Sequence, residues 1–208
     1  MKNTTKNTTK NTRKLALLFF LIGGSMSLGL MSCASPRKTV SGSVTHEKLF
    51  PYGTYMQKVS LTLPAKAGRE EKNFNFNGVV QLKPDAIHVA GMSFFGTTAF
   101  KIDEDRKTGE IKTEVYVEQM KKYEPRLKEY YQILREILIA DAKPSHDSSH
   151  LKWLRTNEKG LPVEMETVGF DKNAVFRLDG FDENGIPSEF SIDQDTFSVK
   201  VQVSSYDI

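Results

Sequence analysis

"EPRLKEYYQILREILIADAKP", residues 124–144, breaks the pattern of everything that follows residue 39, because here alone the apolar side chains recur at helical spacing. Leu127, Tyr130, Tyr131, Leu134, Ile137, Leu138 and Ile139 form the stripe, and Arg126, Lys128, Glu129, Arg135 and Glu136 occupy much of the remaining surface. Pro125 suits a first helical turn, and Pro144 closes the element. Such a stripe needs an apolar partner. Packing on a sheet is the common solution, and a membrane or a protein partner is the alternative.

On either side the period falls to two. "TYMQKVSLTL" (Thr54–Leu63), "FNFNGVVQLK" (Phe74–Lys83), "AIHVAGMSF" (Ala86–Phe94), "TAFKID" (Thr98–Asp103) and "KTEVYVEQM" (Lys112–Met120) alternate apolar and polar residues, which predicts strands with one face inward. "LKWLRT", "LPVEMETVGF", "AVFRLDGF", "IPSEFSID" and "FSVKVQVSSY" continue the pattern after the helix, with Val199, Val201 and Val203 on one face. "EDRKTGE" (Glu104–Glu110) reads as a turn with Gly109 at positive φ, and "DENG" (Asp182–Gly185) as a hairpin. The expected fold is mainly β (α+β): about ten antiparallel strands and one central helix lying on, or plugging, the sheet. No long linker divides residues 40–208, which are expected to form one domain.

The first 32 residues are of another kind. "KNTTKNTTKNTRK" is polar and basic, and "LALLFFLIGGSMSLGLMS" (Leu15–Ser32) is apolar but interrupted by Gly23, Gly24 and Gly29, which fits a secretory leader better than a spanning helix. Five of the 29 basic side chains and none of the 26 acidic ones lie in residues 1–32. The remainder therefore carries 24 basic against 26 acidic groups, and offers no electrostatic case for nucleic-acid binding.

The chain has a single cysteine, Cys33, so an internal disulfide framework and a cysteine-held zinc are excluded. "GMSFFG" (Gly91–Gly96) is spaced Gly-x-Ser-x-x-Gly rather than as a nucleophile elbow, which argues against Ser93 as a nucleophile. His146 and His150 flank Asp147 in a stretch with Pro144, Ser148 and Ser149, where a loop fixes no metal geometry. Glu164 and Glu166 alternate on one strand and are expected to face water. No catalytic residue, metal or cofactor is expected, and the protein reads as a non-enzyme.

Leu30, Met31, Ser32 and Cys33 resemble the lipobox of bacterial lipoproteins, with Leu three places before the cysteine and a small residue directly before it. The resemblance implies that residues 1–32 are a signal peptide and that Cys33 carries a diacylglyceryl thioether and an N-acyl chain. Residues 33–39, within the Ser-, Gly- and Pro-rich "SCASPRKTVSGS", would then form a lipidated tether. Ala34 after the cysteine permits export to the outer membrane by the enterobacterial sorting habit.

The order strands, helix, strands in a lipoprotein of this length resembles the LolA/LolB lipoprotein-carrier superfamily. "MSFFGTTAFKID" (Met92–Asp103) is similar to its strand, apolar-Gly turn and next strand. "LPVEMETVGFDKNAVFRLDGF" and "GIPSEFSIDQDTFSVKVQVSSY" are similar to its closing strands. The resemblance implies an incomplete antiparallel β-barrel, or half-barrel, whose concave face is covered by the helix and receives acyl chains. It also implies a loop bearing exposed apolar residues that hands lipoproteins to the membrane. Phe94 and Phe95 match that loop, two aromatics where the family commonly has Pro-Leu.

Physics points the same way. A curved sheet with too few strands to close cannot fill its own interior, and an apolar hollow favours an apolar ligand. Candidate lining residues are Val80, Leu82, Val89, Phe100, Val115, Val117, Leu134 and Leu138, with ordinary core packing as the other reading of each. The expected protein is outer-membrane-anchored, with its domain in the periplasm, binding an acyl chain, a lipid or a lipoprotein; the inner membrane and the cell surface are the alternative locations. The alternative is a non-catalytic interaction module with a filled core, holding a protein partner in a cell-envelope assembly.

Overall fold

The structure is a computed structural model that describes residues 46–65, 70–143 and 150–208, with residue 119 described in its backbone only. The leader, Cys33, the tether, Pro144 and His146 lie outside the described residues.

Ten strands form: β1 (Gly53–Leu63), β2 (Lys72–Leu82), β3 (Ala86–Met92), β4 (Thr98–Asp105), β5 (Glu110–Val115), β6 (Leu151–Thr156), β7 (Pro162–Thr167), β8 (Val175–Phe181), β9 (Pro187–Gln194) and β10 (Phe197–Asp207). They make one antiparallel sheet in the order β5-β4-β3-β2-β1-β10-β9-β8-β7-β6. The first and last strands meet in the middle, where Val59 pairs with Val201. Strands β5 and β6 are the two edges and do not pair with each other, so the barrel is incomplete.

This order dictates where the helix goes. Every other connection is between neighbours, but the chain must travel from edge β5 to edge β6, and it does so through α1 (Glu118–Lys121) and α2 (Glu124–Leu138). Leu127, Tyr131, Ile133, Ile137 and Leu138 of α2 join the core with the inward residues of the strands. The expected turns hold: Gly109 has φ 73°, and Asp105 accepts the Lys107 and Thr108 N–H groups. Gly185 has φ 77°, and its N–H donates to the Asp182 carbonyl.

The bounds around the helix differ from the expectation. The strand expected over Lys112–Met120 stops at Val115. Tyr116 and Val117 both turn their N–H groups to the Ala99 carbonyl, at 2.9 and 3.4 Å, so the ladder has no further partner and the one-turn α1 begins. The helix ends at Leu138 rather than near Pro144. Beyond it the backbone is captured by the segment before β1: Leu49 N–H donates to Ala140 O at 2.9 Å, and Ala142 N–H to Glu47 O at 2.8 Å. Lys48 pairs with Asp141 at 2.5 Å beside them.

Candidate apolar binding site

Alternation on β1 points Tyr55, Gln57, Val59 and Leu61 to the side covered by α2. Burial falls along that row: Tyr55 and Gln57 are buried, whereas Val59, Leu61 and Leu63 are half-buried. Strand β2 repeats the gradient antiparallel to it, from buried Leu82, Val80 and Gly78 to half-buried Phe76 and Phe74. One end of the interior is therefore closed and the other opens toward solvent.

Between α2 and the sheet lies a cavity of about 90 Å³. Its sheet wall comes from β1, β2, β3, β4, β9 and β10, and its roof is Leu127, Tyr130, Tyr131 and Leu134 of α2. Among the described residues Gln57 and the two tyrosines are the only lining side chains with polar atoms, and none of the lining residues is charged. The volume falls well below the ~300–1,000 Å³ of ordinary ligand pockets.

The two ends of α2 are held differently. At the closed end Glu104, which shares the inward parity of Phe100 and Ile102 on β4, is 2 % exposed. Its carboxylate accepts Tyr131 Oη–H at 2.6 Å and Arg135 Nε–H at 2.8 and 2.9 Å. Burial, reinforced by the Glu104 charge, pushes the Tyr131 hydroxyl far above its usual pKa, so it remains a donor. With the Leu49–Ala140 and Ala142–Glu47 bonds, this fastens the C-terminal half of the helix. At the open end the described contacts are apolar, including Tyr123 edge-on to Phe74 with ring centroids 5.7 Å apart.

Four of the eight expected lining residues, Val80, Val89, Phe100 and Leu134, are in the cavity wall. The other four belong elsewhere. Leu82 and Leu138 lie beyond its closed end, around a cleft that also involves Phe50, Ile87 and Arg106. Val115 and Val117 pack against the core as half-buried residues, because β5 is an edge strand that ends before it reaches the roof. Phe100 sits where it does because β3 carries Gly91: an added Cβ there would fall 2.2 Å from the Phe100 ring.

The β3–β4 turn carries Phe94 and Phe95 at 88 % and 91 % exposure, their rings edge-to-face with centroids 5.8 Å apart. The turn is closed by Ser93 N–H to Thr97 O at 2.8 Å and Gly96 N–H to Ser93 O at 2.9 Å, with Gly96 at φ 80°. β3 was expected to reach Phe94 but stops at Met92, where the ladder gives way to this turn. Register places the turn at the open end, since Met92 pairs with Asn77, which pairs with Lys58. Ser93 Oγ accepts the Thr97 N–H of its own turn at 3.2 Å, and His150 packs against Phe170 with ring centroids 6.1 Å apart. Glu164 lies between Arg155 and Arg177.

Two inward polar residues are not among the sequence candidates. Glu104 falls in a stretch whose sequence predicts a turn, although its parity with Phe100 and Ile102 and the presence of Arg135 on the helix mark it. Gln57 interrupts the apolar row of β1.

No family model matches the sequence, and no curated protein matches it significantly. Among solved structures the chain is similar to a LolA superfamily protein from Nitrosomonas europaea, with TM-score 0.44, 10 % identity, and 75 % of this chain and 85 % of that one covered. It is also similar to a protein domain assigned to outer membrane lipoprotein sorting, from Vibrio parahaemolyticus, with TM-score 0.40, 7 % identity, and 76 % and 86 % covered.

Proposed function

We propose that this protein is a membrane-anchored carrier or acceptor that binds an acyl chain, a lipid or the lipid part of a lipoprotein between α2 and the sheet. The observation that carries the reading is the cavity itself, apolar apart from three side chains and free of lining charge, with its open end beside the exposed Phe94–Phe95 tip. Burying apolar chain against such a wall contributes roughly 25 cal/mol per Å² of apolar surface removed from water. The tip places two large apolar rings where an outer-membrane surface or a lipidated partner would meet the opening. Cys33, diacylglycerated and N-acylated, would hold the domain on the periplasmic side of that membrane, within reach of its ligand.

The second reading, an interaction module with a filled core that holds an envelope protein, is favoured by one observation: the cavity of about 90 Å³ is nearly filled by side chains in this conformation. Native mass spectrometry of the purified full chain separates the two. A stoichiometric acyl ligand that a fluorescent fatty acid displaces is expected. A protein that carries no lipid and takes none up contradicts the carrier and leaves the interaction module.

A further inference from the structure

Gln57 is 4 % exposed and lines the cavity, and its Nε2 has no hydrogen-bond partner. Its side chain leans over Gly78 on the neighbouring strand, where an added Cβ would lie 3.6 Å from Gln57 Cβ and 3.7 Å from its Oε1. The missing side chain on β2 keeps space open beside the amide. Across the cavity the Tyr130 ring is held against Phe197 with centroids 4.4 Å apart, and its hydroxyl lies beside the Arg126 guanidinium. Burial raises the Tyr130 pKa, and the hydrogen bond and charge of Arg126 only partly offset this. A buried donor left unmade costs free energy in the empty protein and returns it when an acceptor arrives.

The acceptor's charge follows from the wall. Among the described residues no Lys or Arg lines the cavity, Arg126 lies outside it beside the Tyr130 hydroxyl, and Arg135 is engaged by Glu104, so an anionic carboxylate placed at Gln57 would be buried without an adjoining counter-charge. A hydrocarbon would leave the Gln57 donor unpaired.

We infer that Gln57 Nε2 is the recognition donor of the cavity, and that it selects apolar ligands carrying a neutral ester or amide carbonyl over free fatty-acid anions and plain hydrocarbons. The inference rests on the carrier reading and specifies which acyl compounds it takes.

The test uses the full chain with Cys33→Ser, which removes the thiol proposed to carry lipid. The apolar fluorophore N-phenyl-1-naphthylamine is displaced by methyl decanoate, by n-undecane of equal carbon number, and by decanoate at pH 8, with Gln57 intact and as Gln57→Leu. Loss of one neutral hydrogen bond is expected to weaken methyl decanoate about ten-fold in Gln57→Leu while leaving n-undecane equal or tighter. Decanoate is expected to displace the fluorophore less well than its ester in the protein with Gln57 intact. The empty Gln57→Leu protein is expected to melt at a higher temperature, because an unpaired buried amide has gone; Gln57→Met serves if the leucine does not pack. Fluorophore uptake with the same ester-to-hydrocarbon ratio in both proteins would overturn the inference and leave the carrier standing. No uptake of fluorophore by either protein would overturn both.

Discussion

The two ends of α2 cross the same sheet and are built on opposite principles. At its C-terminal end, Ile137 and Leu138 belong to a dry core with Phe50, Tyr55 and Ile87, all essentially inaccessible to solvent. There the helix is tied by a buried carboxylate, a tyrosine hydroxyl and two backbone bonds from the segment before β1. At its N-terminal end it faces half-buried Leu61, Phe76 and Val199, with ring and apolar contacts in place of directional ones. Apolar contacts slide and re-form at little cost in geometry, whereas stranding Glu104 would leave a buried charge unpaired. The difference teaches that α2 is anchored over Tyr131–Leu138, while its first turns, which roof the cavity, are held by apolar contacts.

If that asymmetry holds, equivalent damage at the two ends has unequal cost. Phe50→Ala at the closed end, where the ring packs edge-on against Tyr55 and Phe190, is expected to lose about 4 kcal/mol in urea unfolding. Phe76→Ala at the open end should lose about 1–2 kcal/mol, because its ring already borders space and solvent. Equal losses would break the comparison.

Glu104→Ala is next in size. Removing the carboxylate strands the Tyr131 hydroxyl and leaves Arg135 with Glu136 as its remaining partner, and a loss of about 3 kcal/mol is expected by denaturant titration. The same variant sharpens the comparison by a second readout. Amide exchange over Ile133–Leu138 should accelerate toward that of the N-terminal half, whereas an anchor made by packing alone would leave it unchanged.

Gly91→Ala acts on the cavity directly. The new Cβ would overlap the Phe100 ring and drive it into the hollow, at a cost of about 1–3 kcal/mol. Uptake of an apolar fluorophore should fall more than stability does. The smallest stability effect belongs to the tip: Phe94→Ser with Phe95→Ser should stay within about 0.5 kcal/mol of the parent, since both rings stand in solvent. Transfer of bound acyl ligand to lipid vesicles should nonetheless slow, and unchanged transfer would remove the tip from the proposal.

Much of this architecture could be read from period alone. The alternation of "FSVKVQVS" and the helical stripe of Leu127 to Leu138 are unambiguous, because each burial face demands one spacing. The bounds of β5 and α2 were not legible, since both depend on backbone partners far along the chain, Ala99 for Val117 and Leu49 for Ala140. The wall was half legible for a related reason. Alternation says which residues point inward, but which of them meet the helix and which meet empty space depends on where α2 crosses. That is why Val80 and Val89 line the cavity while Leu82, on the same face of β2 as Val80, lies beyond its closed end. Gln57 and Glu104 were visible as polar letters on inward parity. Their significance appears only when the partner of each is known, Arg135 for one and none for the other.

Hydrogen–deuterium exchange along α2, with and without a long-chain acyl ester, tests the central claim most directly. The free protein should exchange fast over Leu127–Tyr130 and slowly over Ile133–Leu138, and the ester should change exchange in the first segment while leaving the second almost untouched. Uniform protection along the whole helix, indifferent to the ester, would contradict a helix anchored at one end over a binding cavity.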